Sequence, residues 1–352
     1  MNEGTRAVPP LVPLTPDTVA AAQLDWSDKL VDAARAAGED VDVAVALAFE
    51  YGTRLPQPGA GQTAARWAVL ADVAAVNVTV ARVLEAHSDA LAILREAGEP
   101  EAALDGSWGV FAAEAADARL AADGAGEHVT LSGRKPWCSL GDRLDNALVT
   151  AHVDGEQRRL FRVALRRPDV RADAPHTWVA RGLRTVTSVG LTFDDTPARA
   201  VGAPGWYLDR PGFAWGGIGV AACWYGAALG VGGAVTAAAA RRPGDLPDMH
   251  AGAVDAALHA AGCTLAQAAQ QVDAGAAAGA DGELLALRVR AVVADAAEAV
   301  LRHAAHALGP APLAFDAAHA ARVADLELYV RQHHAERDLA ALGHRVAGRA
   351  TR

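Results

Sequence analysis

The side chains that could move protons are unevenly distributed along this chain. It contains 12 histidines, of which His333 and His334 are adjacent and His87 lies in an apolar segment. A neutral imidazole can accept a proton near pH 7, but it lacks the negative charge of a carboxylate. Because no glutamate occurs between Glu156 and Glu283, proton transfer in that long segment cannot rely on a glutamate.

The cysteines do not suggest a disulfide framework or a metal centre. Cys138, Cys223 and Cys263 are far apart in the sequence. Their number and spacing are typical of reduced thiols in a cytoplasmic protein. No C-x-x-C or similar ligand spacing occurs, so we expect no metal site.

Charge and hydropathy argue against nucleic acid and membranes as partners. The formal net charge is −10 and no basic run occurs, which argues against nucleic-acid binding. Residues 1–15 are Pro-rich and lack an apolar signal core, which predicts a flexible arm. Residues 211–240 carry no charge and are long enough to cross a bilayer. Their high content of Gly and Ala favours a helix buried in a bundle, so we expect no membrane association.

Three zones of different periodicity position these residues. Apolar residues recur at helical spacing through 16–103 and again from about 213 to the end, where breaks at 241–248, 274–282 and 309–316 predict four helices. Short apolar runs separated by turn residues occupy about 105–202, which indicates strands. The pattern predicts an α+β protein with an N-terminal helical domain, a β domain and a C-terminal helical bundle, at residues 1–104, 105–205 and 206–352.

Three segments resemble the acyl-CoA dehydrogenase superfamily. LSGRKPWCSLGDRLDNALVTA (131–151) is similar to a Gly-Lys-x-Trp turn followed by a strand that ends "lvtA". WGVFAAE (108–114) resembles the first strand of that family's barrel, and residues 182–208 resemble the stretch that joins the barrel to the bundle. The resemblance implies the fold of that superfamily, with a middle β-barrel and a C-terminal four-helix bundle.

The resemblance also implies a flavin site. Trp137 and Ser139 fall on flavin-contact positions, where a ring excludes water and a hydroxyl donates to the reduced flavin. Phe111 and Ala113 would act through their backbone groups, and Arg184 would lie near substrate or flavin phosphate. The implied cofactor is FAD, with FMN as the alternative, because the family's Arg-x-x-Phe-Gly segment is replaced by RRPGDLPDMH at 241–250.

The base usual in that family is missing. The family's glutamate follows an Arg-Asp pair by eight residues, and counting eight from Asp325 reaches His333. Some members place it near the start of the first bundle helix, here around Gly216, where no carboxylate occurs. A monooxygenase branch that includes dibenzothiophene monooxygenase resembles this chain at His333, Ser139 and His87, which the resemblance implies as catalytic residues.

Three functions remain open at this point. The leading hypothesis is a dehydrogenase-like flavoprotein that oxidises a small molecule, such as an acyl-CoA, and passes electrons to electron-transfer flavoprotein. The alternative is a monooxygenase that uses O₂ and reduced flavin from a flavin reductase. The third is a non-catalytic relative. In any flavin-binding version the resemblance implies a homodimer or homotetramer.

Overall fold

The computed structural model describes residues 24–125 and 128–348 of the chain, so the predicted arm at 1–15 lies outside the described residues. The first described part is helical. Asp40 caps one of these helices by accepting from the backbone N–H of Asp42 and Val43 at 3.0 and 3.2 Å. Asn77 separates the last two helices and caps the second of them. The helices are α1 (Ser27–Ala37), α2 (Val41–Gly52), α3 (Thr63–Val76) and α4 (Val78–Glu96).

The middle part is a barrel of mostly antiparallel strands. The strands are β1 (Trp108–Phe111), β2 (Leu120–Ala125), β3 (His128–Ser139), β4 (Asn146–Asp154), β5 (Gln157–Ala164), β6 (Val170–Ala172) and β7 (Ser188–Val201). Strand β5 pairs with both β7 and β4, and β4 also pairs with β2, so the path β4-β2-β3-β7-β5 returns to β4. Strands β2 and β6 were not predicted from the sequence.

The last part is a bundle built around one long apolar helix. The helices are α5 (Trp206–Asp209), α6 (Pro211–Arg241), α7 (Asp245–Asp273), α8 (Gly279–Leu308), α9 (Ala311–Phe315), α10 (Ala317–Tyr329) and α11 (Glu336–Val346). Among the described residues α6 alone is long and apolar enough to cross a membrane, yet 72% of its apolar window is buried in the fold. The α+β prediction is confirmed.

Glycine lets α6 pack closely against α3. A Cβ atom at Gly226 would lie 2.0 Å from the backbone O of Ala71, so no larger residue fits at this crossing. The close contact brings the start of α6 next to α4, which follows α3 in the chain. The site described below lies where these helices meet.

Two local predictions need correction. The break predicted at 241–248 is shorter, because α7 begins at Asp245. The segment around His333 is not a helix: a 3₁₀ turn at Val330–Gln332 precedes it. Asp316 caps α10, since its side chain accepts from the backbone N–H of Ala318 and His319.

Candidate functional site

A cavity of about 500 Å³ lies between α4, α6, α8 and α11. Two glycines at the start of α6 keep it open. A Cβ atom at Gly216 would lie 2.8 Å from Oδ1 of Asp89, and one at Gly217 would lie 3.7 Å from the Cδ atom of Arg290. The absence of side chains there lets a carboxylate and a guanidinium approach the same stretch of α6.

Glu85 joins this cavity to the core of the protein. The glutamate is 7% exposed, and its Oε2 atom accepts from Arg82 Nη1 at 3.0 Å and from the Tyr329 hydroxyl at 3.2 Å. Burial raises the pKa of Glu85, and Asp89 adds to that effect, while Arg82 and Tyr329 oppose it. The arrangement is a buried ion pair supported by a phenol.

Asp89 lies one helical turn from Glu85 and also lines the cavity. Burial raises its pKa, whereas the charges of Arg210 and Arg66 act to lower it. Neither arginine contacts it directly. Arg210 pairs with Glu96 at 2.6 Å, and Arg66 donates to Ser88 Oγ at 2.9 Å. The negative charge of Asp89 is thus stabilised by the positive charges of Arg210 and Arg66 without a direct ion pair.

A narrow cleft of about 20 Å³ lies between α4 and the barrel. Phe111 and Ser139 line it together with Arg82. The Ser139 hydroxyl shares a hydrogen bond of 2.7 Å with the Ser188 hydroxyl and accepts a longer one, 3.4 Å, from Arg82 Nη2. Arg82 therefore connects the barrel cleft with the carboxylate that lines the cavity.

His333 is buried beside the cavity. It is 8% exposed, and its ring packs edge-on against Trp224 with centroids 6.4 Å apart. Its Nε2 atom lies 3.8 Å from Oδ2 of Asp338, beyond hydrogen-bond distance, and no described residue makes a hydrogen bond to it. Burial lowers the pKa of His333, although Asp338 opposes this, and the lowered pKa favours the neutral imidazole. Asp338 and the exposed His334 line the cavity itself.

The remaining predicted residues are scattered. His87 is 1% exposed, accepts from the Trp108 backbone N–H at 3.1 Å, and lies outside the lining of both cavities. Burial lowers its pKa to about 4. Arg184 is exposed and pairs with Glu39. The structure thus brings Phe111 and Ser139 together but not His87 or Arg184.

The charged face of α4 was not predicted from the sequence. Arg82, Glu85 and Asp89 are spaced by three and four residues in a helix that is otherwise largely apolar and buried. This spacing places all three on one face of the helix. Charged residues that recur at helical spacing in a buried segment were the signal that could have identified them.

The barrel side offers groups that fit a planar flavin ring. Trp137 is 60% exposed with φ of 58°, so its ring is available to be covered. The ladder of β1 with β4 ends at Phe111, and Ala113 follows beyond it. The Thr185 hydroxyl is buried with no hydrogen-bond partner among the described residues, as expected of a group that awaits a ligand.

Comparison with known proteins gives the fold. No protein-family profile and no curated protein matches the chain. The structure of KijD3 in complex with FMN and dTDP-3-amino-2,3,6-trideoxy-4-keto-3-methyl-D-glucose is similar, with a TM-score of 0.79 and 19% identity over 97% of this chain and 96% of that one. The chain has the acyl-CoA dehydrogenase fold.

Two further structures show that this fold accommodates different enzymes. Nitrososynthase from Micromonospora carbonacea var. africana matches with a TM-score of 0.75 and 16% identity over 95% of this chain and 98% of that one. Glutaryl-CoA dehydrogenase from Mycobacterium smegmatis matches with a TM-score of 0.75 and 17% identity over 95% and 97%. At such low identities, the structural similarity establishes a common fold and nothing more. The function therefore has to be argued from the site.

Proposed function

We propose that the protein is a flavin-dependent oxygenase that acts on a small polar molecule bound in the cavity between α4, α6, α8 and α11. One observation carries the proposal. The position that the family resemblance assigns to a catalytic carboxylate holds His333, which is buried and has no hydrogen bond on Nε2. A neutral imidazole can exchange a proton near pH 7 but cannot act as a fixed anion.

The flavin would lie against the barrel. Trp137 would cover one face of the ring, Ser139 would donate to its edge, and the backbone of Phe111 and Ala113 would face it at the end of β1. We favour FMN over FAD, because the adenine-binding Phe of the family is missing and the arginines at 241 and 242 are exposed. The FMN bound by KijD3 agrees with this choice. Reduced flavin, when bound, supplies the electrons for oxygen chemistry.

The chain's own residues then have separate roles. The long apolar helix α6 and Trp224 exclude water from the inner wall of the cavity. Arg82 and Glu85 form a fixed ion pair between flavin and substrate, so neither needs to reorganise during the reaction. His333 holds or releases a proton at Nε2. A polar substrate would bind to the charged lining provided by Asp89 and its neighbours.

A second function is favoured by a different observation. Glu85 and Asp89 line the cavity, and burial raises the pKa of both, so either could accept a proton from a substrate carbon. That would suit a dehydrogenase acting on an acyl thioester and passing electrons to electron-transfer flavoprotein. Against it, Oε2 of Glu85 is already engaged by Arg82 and Tyr329.

The rate of flavin reoxidation distinguishes the two functions. The protein is loaded with FMN or FAD, photoreduced without oxygen, and mixed either with oxygen-saturated buffer or with an anaerobic one-electron acceptor such as ferrocenium. An oxygenase should be reoxidised by oxygen at least as fast as by ferrocenium. Preference for ferrocenium with sluggish oxygen reaction would favour the dehydrogenase, and failure to bind either flavin would leave a non-catalytic relative.

A further inference from the structure

Arg82 is the one side chain, among those the structure describes, that lines the barrel cleft and also contacts a carboxylate of the cavity. It lies on α4 with 14% of its side chain exposed. Nη2 points to Ser139 of the barrel, and Nη1 points to Glu85 of the cavity. Its Cζ atom also lies 5.8 Å from the centroid of the Tyr329 ring. The guanidinium is therefore held in place from three directions.

The two contacts are unequal in strength. The contact with Glu85 is a 3.0 Å ion pair between two buried groups, whereas the contact with Ser139 is 3.4 Å, near the limit of a hydrogen bond. Ser139 already has a closer partner in Ser188 at 2.7 Å. The Nη2 side of Arg82 is consequently the weakly satisfied side, and it faces the cleft.

We infer that Arg82 makes the cleft selective for the reduced, anionic form of the flavin. The inference rests on the proposed function, since it requires the ring to lie beside Ser139. A flavin edge that reaches the Ser139 hydroxyl also reaches Nη2 of Arg82, because the two atoms are 3.4 Å apart. The guanidinium then donates to the ring and places a positive charge next to it.

The sign of the effect follows from charge. The oxidised ring is neutral, while the reduced ring loses a proton near neutral pH and becomes an anion. The phosphate is the same in both forms, so only the ring responds to Arg82. A cation about 5 Å from an anion in a partly buried site would favour the anion by a hundredfold or more. Glu85 offsets much of that charge, so we expect about a tenfold effect.

The test compares the affinities of the two flavin forms. Dissociation constants of oxidised FMN and of photoreduced FMN are measured anaerobically by quenching of tryptophan fluorescence, and their ratio is compared among variants. Arg82→Met should reduce the preference for reduced FMN about tenfold, and Arg82→Lys should retain most of it. Glu85→Gln should increase the preference, because it removes the charge that offsets Arg82.

Opposite shifts in Arg82→Met and Glu85→Gln separate an electrostatic role from a structural one. Loss of folding would weaken the binding of both flavin forms in both variants, and circular dichroism would detect the unfolding. Arg143→Met is the matched control, since Arg143 pairs with exposed Asp42 on the surface. The inference would be overturned if Arg82→Met left the ratio of the two dissociation constants unchanged. It would also be overturned if Arg82→Met and Glu85→Gln shifted that ratio in the same direction. Neither outcome would contradict the proposed function. If the wild-type protein binds neither form, the proposed function fails as well.

Discussion

Removing one hydroxyl tests the buried network around the cavity. Tyr329 is 1% exposed, and its hydroxyl donates to Oε2 of Glu85 at 3.2 Å, from a position 244 residues away in sequence. Tyr329→Phe leaves the ring and its packing against Trp224 in place. The substitution therefore removes the hydrogen bond to the buried carboxylate together with the contact between the hydroxyl and the Cys223 thiol.

The expected loss depends on the protonation of Glu85. A hydrogen bond to a charged group contributes about 1.5–3 kcal/mol and one between neutral groups about 1 kcal/mol. Because Arg82 still pairs with Glu85 in the variant, we expect a value near the lower end of the range for a charged group. The free energy of unfolding should fall by about 2 kcal/mol at pH 8. Tyr329 lowers the pKa of Glu85, so its removal raises that already raised pKa further.

The sign of the pH dependence follows from this linkage. A carboxyl group whose folded pKa is raised contributes stability that is present below its ordinary value of 4.5 and is lost as pH rises through the folded pKa. As pH rises through this range, the Tyr329→Phe variant loses more stability than the wild-type protein, because the pKa of its Glu85 is higher. The destabilisation should therefore be smallest near pH 4.5 and largest at pH 8.

Urea unfolding at both pH values measures the effect, in the wild-type protein and in a double-mutant cycle with Glu85→Gln. In the Glu85→Gln background, Tyr329→Phe should lower the free energy of unfolding by about 1 kcal/mol less than it does in the wild-type protein. An equal cost at pH 4.5 and pH 8, together with no coupling in the cycle, would refute the assignment of Tyr329 as a stabilising donor to an ionised Glu85.

Three further outcomes are expected. His333→Ala should lower oxygen-dependent turnover about 100-fold or more, while His176→Ala, which changes an exposed ring that lines neither the cavity nor the cleft, should lower it only slightly; equal losses would contradict the role of His333. Gly226→Ala should destabilise the protein by several kcal/mol or prevent folding, whereas Gly233→Ala, with open space around it, should stabilise α6 by up to about 1 kcal/mol in thermal unfolding. Burial raises the pKa of Asp72 to about 6, so its stabilising contribution is lost above that pH; Asp72→Asn should therefore stabilise the protein by roughly 2 kcal/mol at pH 8 and not at pH 3.8, and the reverse order would exclude this explanation.

Strand prediction succeeded where the pattern was strong and failed where it was weak. The runs at 128–139 and 146–154 alternate or continue in apolar residues, and both are strands. Strand β2 reads LAADGA, in which Gly and Asp mask any alternation, and it is held by its pairing with β3. Its existence depends on a partner that local propensity does not include.

Counting along the sequence located His333 but did not describe its surroundings. The count from Asp325 gave a buried histidine, yet the helix expected there is a 3₁₀ turn followed by an extended residue. His333 and His334 are adjacent, so only one of the two can point inward on a helix. The turn achieves this, with His333 8% exposed and the His334 side chain 58% exposed.

By itself, the sequence determined the order of helices, barrel and bundle, and the identity of the segments that resemble a flavin site. These features depend on local periodicity and on short motifs, which are contained within a few residues of one another. Only the tertiary structure decided that Arg82 would lie between Ser139 and Glu85, and that Tyr329 would complete the pair. Those contacts join α4, the barrel and α10, and the close packing of separate elements fixes them.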